Sequence, residues 1–273
     1  MKKYFPVLFL FASFGTVDAL AGEQASHRAV YDITLASTKG GAAGVVNAYG
    51  RMSYSAQKVC GRWNTESVFS LDVGYELSGN DTTIWKQTTK ESDDGCFFEF
   101  DVFVREKGKD RKELSGKAVC EKGKKVLRLT EPLASRAEFP SSVLFPVAQT
   151  LRLLNAAEKG RKSFSSYVYD GTRPESLYSV NAMISVPPTV PSGAVSGDTA
   201  LIAGKKTYRF DMAFFQSFGD KKSRDGTPSY EVSADYCENG IGRRIEQDFG
   251  AYRLKSELVS VERLEEIVCP EKK

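Results

Sequence analysis

Short runs that alternate apolar and polar residues recur along this chain, separated by turn dipeptides that need a positive φ. That combination leaves little room for anything but antiparallel β structure. Asp94-Gly95, Asp170-Gly171, Asp225-Gly226 and Asn239-Gly240 are hairpin signals of this kind. Residues 27–35 put Ala29, Tyr31, Ile33 and Leu35 on one side, the period of a half-buried strand. Residues 50–55 and 62–71 continue the pattern, with Trp63, Val68, Phe69 and Leu71 as candidate core residues. Residues 96–105 place Phe98, Phe100, Val102 and Val104 on one face. The last third reads as a meander of strands over 229–237, 241–249 and 252–261. The expected class is all-β, mainly antiparallel.

One segment departs from this period. Across residues 142–159, Val147, Leu151 and Leu154 fall at helical spacing, flanked by Leu144, Ala148 and Ala156. Pro146 suits a first helical turn, Lys159 a last one, and Gly160 is placed to end it. Arg152 is the only charge before Glu158, so the helix should lie against the inside of a sheet. It is short and lacks the cationic face of a membrane-surface helix. Residues 186–197 hold three prolines and two glycines without periodicity. The strand signals on both sides look alike, so this stretch reads as a long loop inside one domain.

The N-terminus carries an export signal. Lys2 and Lys3 precede an apolar run over residues 4–14, and Ala19-Leu20-Ala21 supplies a small-x-small cleavage site before Gly22. A run of roughly 11 residues is too short for a bilayer core that needs about 20. No cysteine follows the run to mark a lipoprotein. The expected division is a signal peptide over 1–21 and a single domain over 22–273, soluble in an oxidising compartment and not membrane-spanning.

Composition removes several function classes. Loss of Lys2, Lys3 and Asp18 with the leader takes the formal charge from +3 to +2, far from the basic field of a nucleic-acid binder. His27 is the only histidine, which excludes zinc sites with two or three His ligands and would force any Ser-His or Cys-His catalysis through it. In a strand-like run it reads as a packed residue. The acid pairs Asp93-Asp94 and Glu265-Glu266 are sequence neighbours, which point apart on a strand. Glycines at 40–41 lack the P-loop lysine and hydroxyl. No catalytic, metal or cofactor-binding residue is assigned. Basic turns over 107–112, 122–125 and 221–224 read as solvated hairpin tips or as contacts for anionic lipid A or peptidoglycan.

Five cysteines are present, an odd number for an exported chain. Cys96 and Cys120 are each 12 residues from position 108, the centre of a polar turn, and so face one another across a hairpin. Directly opposed residues can be bridged, preferably at a non-hydrogen-bonded pair, whereas a one-residue slip would put them on opposite faces. Cys60 and Cys269 then remain as a long-range candidate, with Cys237 the odd, buried thiol. No Cys-x-x-Cys motif supports redox or zinc-ribbon chemistry.

Several ordered segments together resemble a known family. They are HRAVYDITL at His27, GRMSY at Gly50, Cys60-Gly61 followed by Trp63, and LFP at Leu144 leading into the apolar helix. VYDG at Val168, TPSYEVS at Thr227, ENGIGR at Glu238 and DFGAYRL at Asp248 complete the set. In this order they are similar to the envelope integrity protein B family, exported proteins of Gram-negative bacteria. The resemblance implies a periplasmic β-spiral curling around a central space, in support of cell-envelope integrity and stress resistance. It also implies a bridge between an early and a late cysteine, which falls on Cys60 and Cys269. The chain departs from the pattern at Pro146-Val147-Ala148-Gln149, which lacks the histidine expected in that turn. Cys96, Cys120 and Cys237 look like additions and leave the pairing open.

The leading functional expectation is a non-enzymatic periplasmic protein that binds an envelope protein or a lipid or peptidoglycan component. The alternative is a carrier of lipid or lipoprotein acyl chains, with Phe98, Phe100, Phe214 and Phe215 lining the interior. The oligomeric state is not fixed by the sequence.

Overall fold

A computed structural model describes residues 24–38, 44–106, 109–188, 193–217 and 226–270. The leader over 1–21 and the basic turn over 221–224 lie outside the described residues, as does part of the turn over 107–112. The first arm of the sheet is a run of hairpins, β1 (His27–Thr38), β2 (Val45–Val59), β3 (Arg62–Tyr75), β4 (Gly79–Ser92), β5 (Phe97–Glu106), β6 (Lys109–Glu121), β7 (Lys124–Glu131) and β8 (Ser135–Pro140). Helix α1 (Pro146–Glu158) follows. The second arm holds β9 (Ser163–Tyr169), β10 (Leu177–Ser185), the two-residue β11 (Ser196–Gly197), β12 (Thr207–Gln216), β13 (Tyr230–Cys237), β14 (Gly242–Asp248) and β15 (Tyr252–Arg263).

Strand order across the sheet runs β8 down to β1, then β15, β14, β13, β12, β10 and β9, with β11 added in parallel to β15. The arms are joined where β1 pairs antiparallel with β15, from His27 opposite Arg263 to Thr38 opposite Tyr252. β8 and β9 are the outer strands, so the curl is not closed by a ladder. The result is the expected all-β curled sheet around a short apolar helix.

The alternation sorts side chains as the sequence suggested, with one exception. Phe98, Phe100 and Val102 are buried, as are Trp63 and Leu71, with Phe69 packed beside the latter. Val68 lies one residue out of phase with these and is only half-buried on the other face. The four turn glycines, Gly95, Gly171, Gly226 and Gly240, all have positive φ, between 66° and 83°. At Gly171 space matters as well, because a Cβ there would come within 2.8 Å of the Phe100 ring.

α1 has Pro146 in its first turn, as the sequence suggested, and Leu144 stays outside the helix. Gly160 at φ +70° ends it, with N–H groups of Gly160 and Arg161 returning to Ala157 and Ala156. Leu153, Leu154, Ala156 and Ala157 pack against Val180, Phe210 and Ala234 of the second arm. Val147 turns to Ala56 and Trp63 of the first arm. The helix therefore touches both arms, and the buried stripe is broader than Val147–Leu151–Leu154. Leu151 itself is half-buried.

The Pro-rich stretch ends in β11 and a 3-10 turn over Thr199–Leu201. Leu201 and Ile202 there pack with Tyr31, Cys237 and Ile241. His27 is fully buried, with Nδ1 2.7 Å from the Ala25 carbonyl and its ring beside Tyr54. Burial lowers its pKa.

Candidate functional site

The incomplete closure leaves a cleft. One wall is the outer strand β9, the other is the turn between β4 and β5 together with Cys120, Lys125, Ser141 and Ser142, and α1 forms the floor through Ala148, Leu151 and Arg152. Its volume is about 830 Å³, within the range of small-ligand sites. Among the described residues the backbone makes a single bridge across the gap, Leu144 to Val168. Leu144 donates its N–H to the Tyr167 carbonyl at 2.7 Å, and Tyr169 donates to the Leu144 carbonyl at 3.0 Å.

Side chains hold the entry to α1 where the ladder is missing. Phe145 precedes the helix and supplies no side-chain cap. Glu91, buried on the inner face of β4, accepts the N–H of Val147 at 2.9 Å and of Ala148 at 2.8 Å. A carboxylate thus sits on two unpaired amides at the positive end of the helix dipole. Burial nevertheless dominates and raises its pKa to about 7, against the lowering effect of those two N–H bonds and of Lys125. Lys125 donates to the Val143 carbonyl and lies 4.2 Å from the centre of the Phe145 ring. Burial lowers the Lys125 pKa, and Glu91 and Asp94 oppose the shift. Lys125 is therefore no solvated hairpin tip, in contrast to the reading of residues 122–125.

The other predicted residues fall as follows. Asp93 and Asp94 lie in the β4–β5 turn, where Asp93 pairs with Lys58 at 3.1 Å and Asp94 accepts the Cys96 N–H at 2.9 Å. Both are committed to local structure. Phe98 and Phe100 are buried, with Phe98 stacked on Phe145 at 4.6 Å and Phe100 against Tyr169 at 5.7 Å. Phe214 packs on the inner side against Tyr230, and Phe215, its neighbour along β12, points the other way. Phe98 and Phe100 are thus packed in the core, and Phe214 and Phe215 lie half-buried on opposite faces of β12.

Cys96 and Cys120 have Cα atoms 4.8 Å apart and border the cleft. The Cys120 N–H donates to the Cys96 carbonyl at 3.0 Å, so the pair is hydrogen-bonded on that side, not the open type preferred from sequence. Cys60 and Cys269 are 4.9 Å apart at Cα, where the C-terminal tail meets the end of β2 through the N–H of Cys60 on the Ile267 carbonyl at 2.7 Å. Cys237 is buried and its thiol pKa is raised by that burial. Sequence reasoning missed Glu91, β9 and the cleft. The polar run of β4 gave no apolar alternation to follow.

Two cysteine pairs at disulfide distance fit an extracytoplasmic protein. Among the described residues no helix is long and apolar enough to cross a membrane. A crystal structure of a β-barrel-like protein of a domain of unknown function from Brucella abortus superposes with a TM-score of 0.76 over 90% of this chain and 100% of that one, at 24% identity. That likeness shows the fold. The sequence is 29% identical over 270 residues to the cell envelope integrity protein EipB of Brucella abortus (strain 2308), covering 93% of this chain and 90% of the relative. The EipB-like family matches residues 18–265, and the chain belongs to that family.

Proposed function

We propose that the protein is exported, loses residues 1–21, and supports cell-envelope integrity from the periplasm as a non-enzymatic domain of residues 22–273. In this reading it acts by holding an envelope protein, lipid or peptidoglycan component in the cleft beside β9. The observation that carries the proposal is the cleft itself, about 830 Å³ beside an interior otherwise filled by packed rings. The name of the Brucella relative supports the envelope role. Commitment of Asp93 and Asp94 to local contacts supports a binding role over an enzymatic one. The two close cysteine pairs are taken as bonded, with Cys237 reduced.

The test is complementation of a deletion strain under envelope stress with Leu151→Glu, which puts a charge on the cleft floor. Loss of protection with normal folding and abundance supports the cleft, and full protection overturns it. N-terminal sequencing of periplasmic material should begin at Gly22, and full-length chain in the membrane fraction would sink the export reading.

A further inference from the structure

The wall of the cleft formed by β9 has a chemical property that its volume alone does not express. In a β-strand, N–H and C=O of one residue point to the same side, and alternate residues share that side. The Tyr167 carbonyl and the Tyr169 N–H face the gap, where they bond Leu144. Ser165 and Ser163 have the same parity, so their main-chain groups face the gap too. Ser166 and Phe164, of opposite parity, turn toward β10, as does Lys162, which accepts the Ile184 N–H at 2.9 Å.

β9 is the last strand of the sheet path, and Leu144 occupies only the first rung of its outer ladder. Below that rung the strand borders a cavity on each face. Phe164 and Ser166 belong to the large cleft, Ser163 to a second cavity of about 540 Å³, and Ser165 to both. Open edges of this kind are commonly blunted by proline, lysine or a bulge, and the segment from Ser163 to Tyr169 carries none of these. A row of main-chain donors and acceptors at strand spacing is satisfied along its length by one partner, another extended backbone.

We propose that the edge of β9 from Ser163 to Tyr167 receives an extended peptide segment of a partner protein, which continues the ladder that Leu144 begins. The proposal rests on the cleft being the binding site and names the class of its occupant. Main-chain bonds supply affinity and alternate side chains supply selectivity. Every second side chain of the peptide meets the apolar lining at Leu144, Ala148, Leu151 and Phe164. Arg152, exposed on the cleft floor and without an ion pair among the described residues, selects an acidic side chain or a terminal carboxylate. The preferred segment alternates apolar and hydroxyl residues and carries one acidic group.

The probe is a pool of synthetic decapeptides alternating Val, Leu or Phe with Ser, Thr or Asp, presented to the intact mature protein. Binders are remade with N-methyl groups on every second amide, in each of the two phases. One phase should bind normally and the other roughly tenfold or more weakly, as expected for loss of two or three main-chain bonds. Ser165→Pro removes an N–H that faces the cleft and leaves the β10 ladder in place, a substitution tolerated on an edge. It should weaken binding about tenfold at unchanged thermal midpoint. Ser165→Ala, which keeps the N–H and loses only the hydroxyl contact to Asn181 at 2.8 Å, should bind as wild type. Absence of any binder, equal binding by both methylation phases, or equal binding by Ser165→Pro would overturn the strand-addition proposal. A muropeptide or phospholipid held in the cleft in place of peptide would also overturn it, while leaving the cleft as the functional site. Full envelope protection by Leu151→Glu would remove the cleft reading instead.

Discussion

The sheet has two seams, and they are built differently. At the β1–β15 seam a long antiparallel ladder runs from His27 to Thr38, interrupted only by irregularities after Val30 and Leu35. The C-terminal tail extends it, with Leu264 bonding Ser26 and Ile267 bonding Lys58 before Cys269 reaches Cys60. At the β8–β9 seam one rung exists among the described residues, at Leu144. Contact there is made by α1, by a buried aromatic cluster in which Tyr169 of β9 meets Phe139 of β8 and Phe100 of β5, and by two buried ionisable side chains, Glu91 and Lys125, that bind the backbone on either side of Phe145. One seam is thus joined by repeating backbone chemistry, the other by particular side chains. A ladder tolerates most single substitutions, whereas a seam held by individual groups leaves an opening and depends on each of them.

The largest effect should come from cutting the covalent tie at the closed seam. The proposed Cys60–Cys269 bond encloses 209 residues and Cys96–Cys120, at the open seam, only 24. In the chain-entropy model these contribute about 5 and about 3 kcal/mol. Cys269→Ser should therefore lower the denaturant midpoint further than Cys120→Ser. Equal losses would defeat the ranking, and peptide mapping that finds Cys237 bonded to Cys60 or Cys269 would refute the pairing.

Next in size is Leu154→Ala. Leu154 is fully buried where α1 meets the second arm, so truncation should cost about 3–4 kcal/mol. A cost under about 1 kcal/mol, read by urea unfolding, would show that the helix does not support the open seam.

Glu91 should give a smaller, pH-dependent effect. Folded, it keeps its proton to about pH 7, and unfolded, it releases it near 4.5. The folded state then binds more protons across that window, so this group's contribution to stability falls as pH rises from 4.5 to 7. Glu91→Gln removes the titration. The gap between wild type and variant should shift in favour of the variant by at most roughly 3 kcal/mol between pH 4.5 and 7.5. His27 acts in the opposite sense, since its lowered pKa costs stability as pH falls below 6.5, but it is common to both proteins and cancels. A gap independent of pH would show that Glu91 is ionised throughout.

The smallest effect is expected on the surface of the closed seam. Arg28 and Glu262 pair across β1 and β15 at 3.1 Å with both side chains more than half exposed. Arg28→Gln should change stability by less than about 1 kcal/mol. A larger loss would mean that this ladder also leans on individual side chains.

The closed seam was more legible in the sequence than the open one, for physical reasons. β1 and β15 advertise themselves through alternation, because one of their faces is apolar. Beyond Trp85 the inner face of β4 is instead Gln87, Thr89 and Glu91, which bind the Asp170 carbonyl, the Thr65 hydroxyl and the α1 amides. A strand whose buried face is given to hydrogen bonds carries no hydrophobic period. The cleft arises from a pairing that β9 does not make, and no local residue pattern encodes an unmade pair. Cys96 and Cys120 come to face one another through a compensation. Near the turn Glu106 faces Lys109, which on its own would leave Cys96 opposite Val119, and the irregularity at Glu113 restores the match.

The order of the strands also sets an order in time. Within the first arm each strand pairs with its sequence neighbour, so those hairpins can form as the chain emerges N-terminus first, through contacts close in sequence. β1 is different. One side is covered by β2 early, but the other must wait for β15, which begins only at Tyr252. Until β15 arrives a twelve-residue edge is therefore open, with Arg28 and Asp32 exposed along it as charges that discourage pairing with another chain. β15 is the strand that shields β1, so a chain truncated before Tyr252 would carry two further open edges, on β1 and β14, and should aggregate.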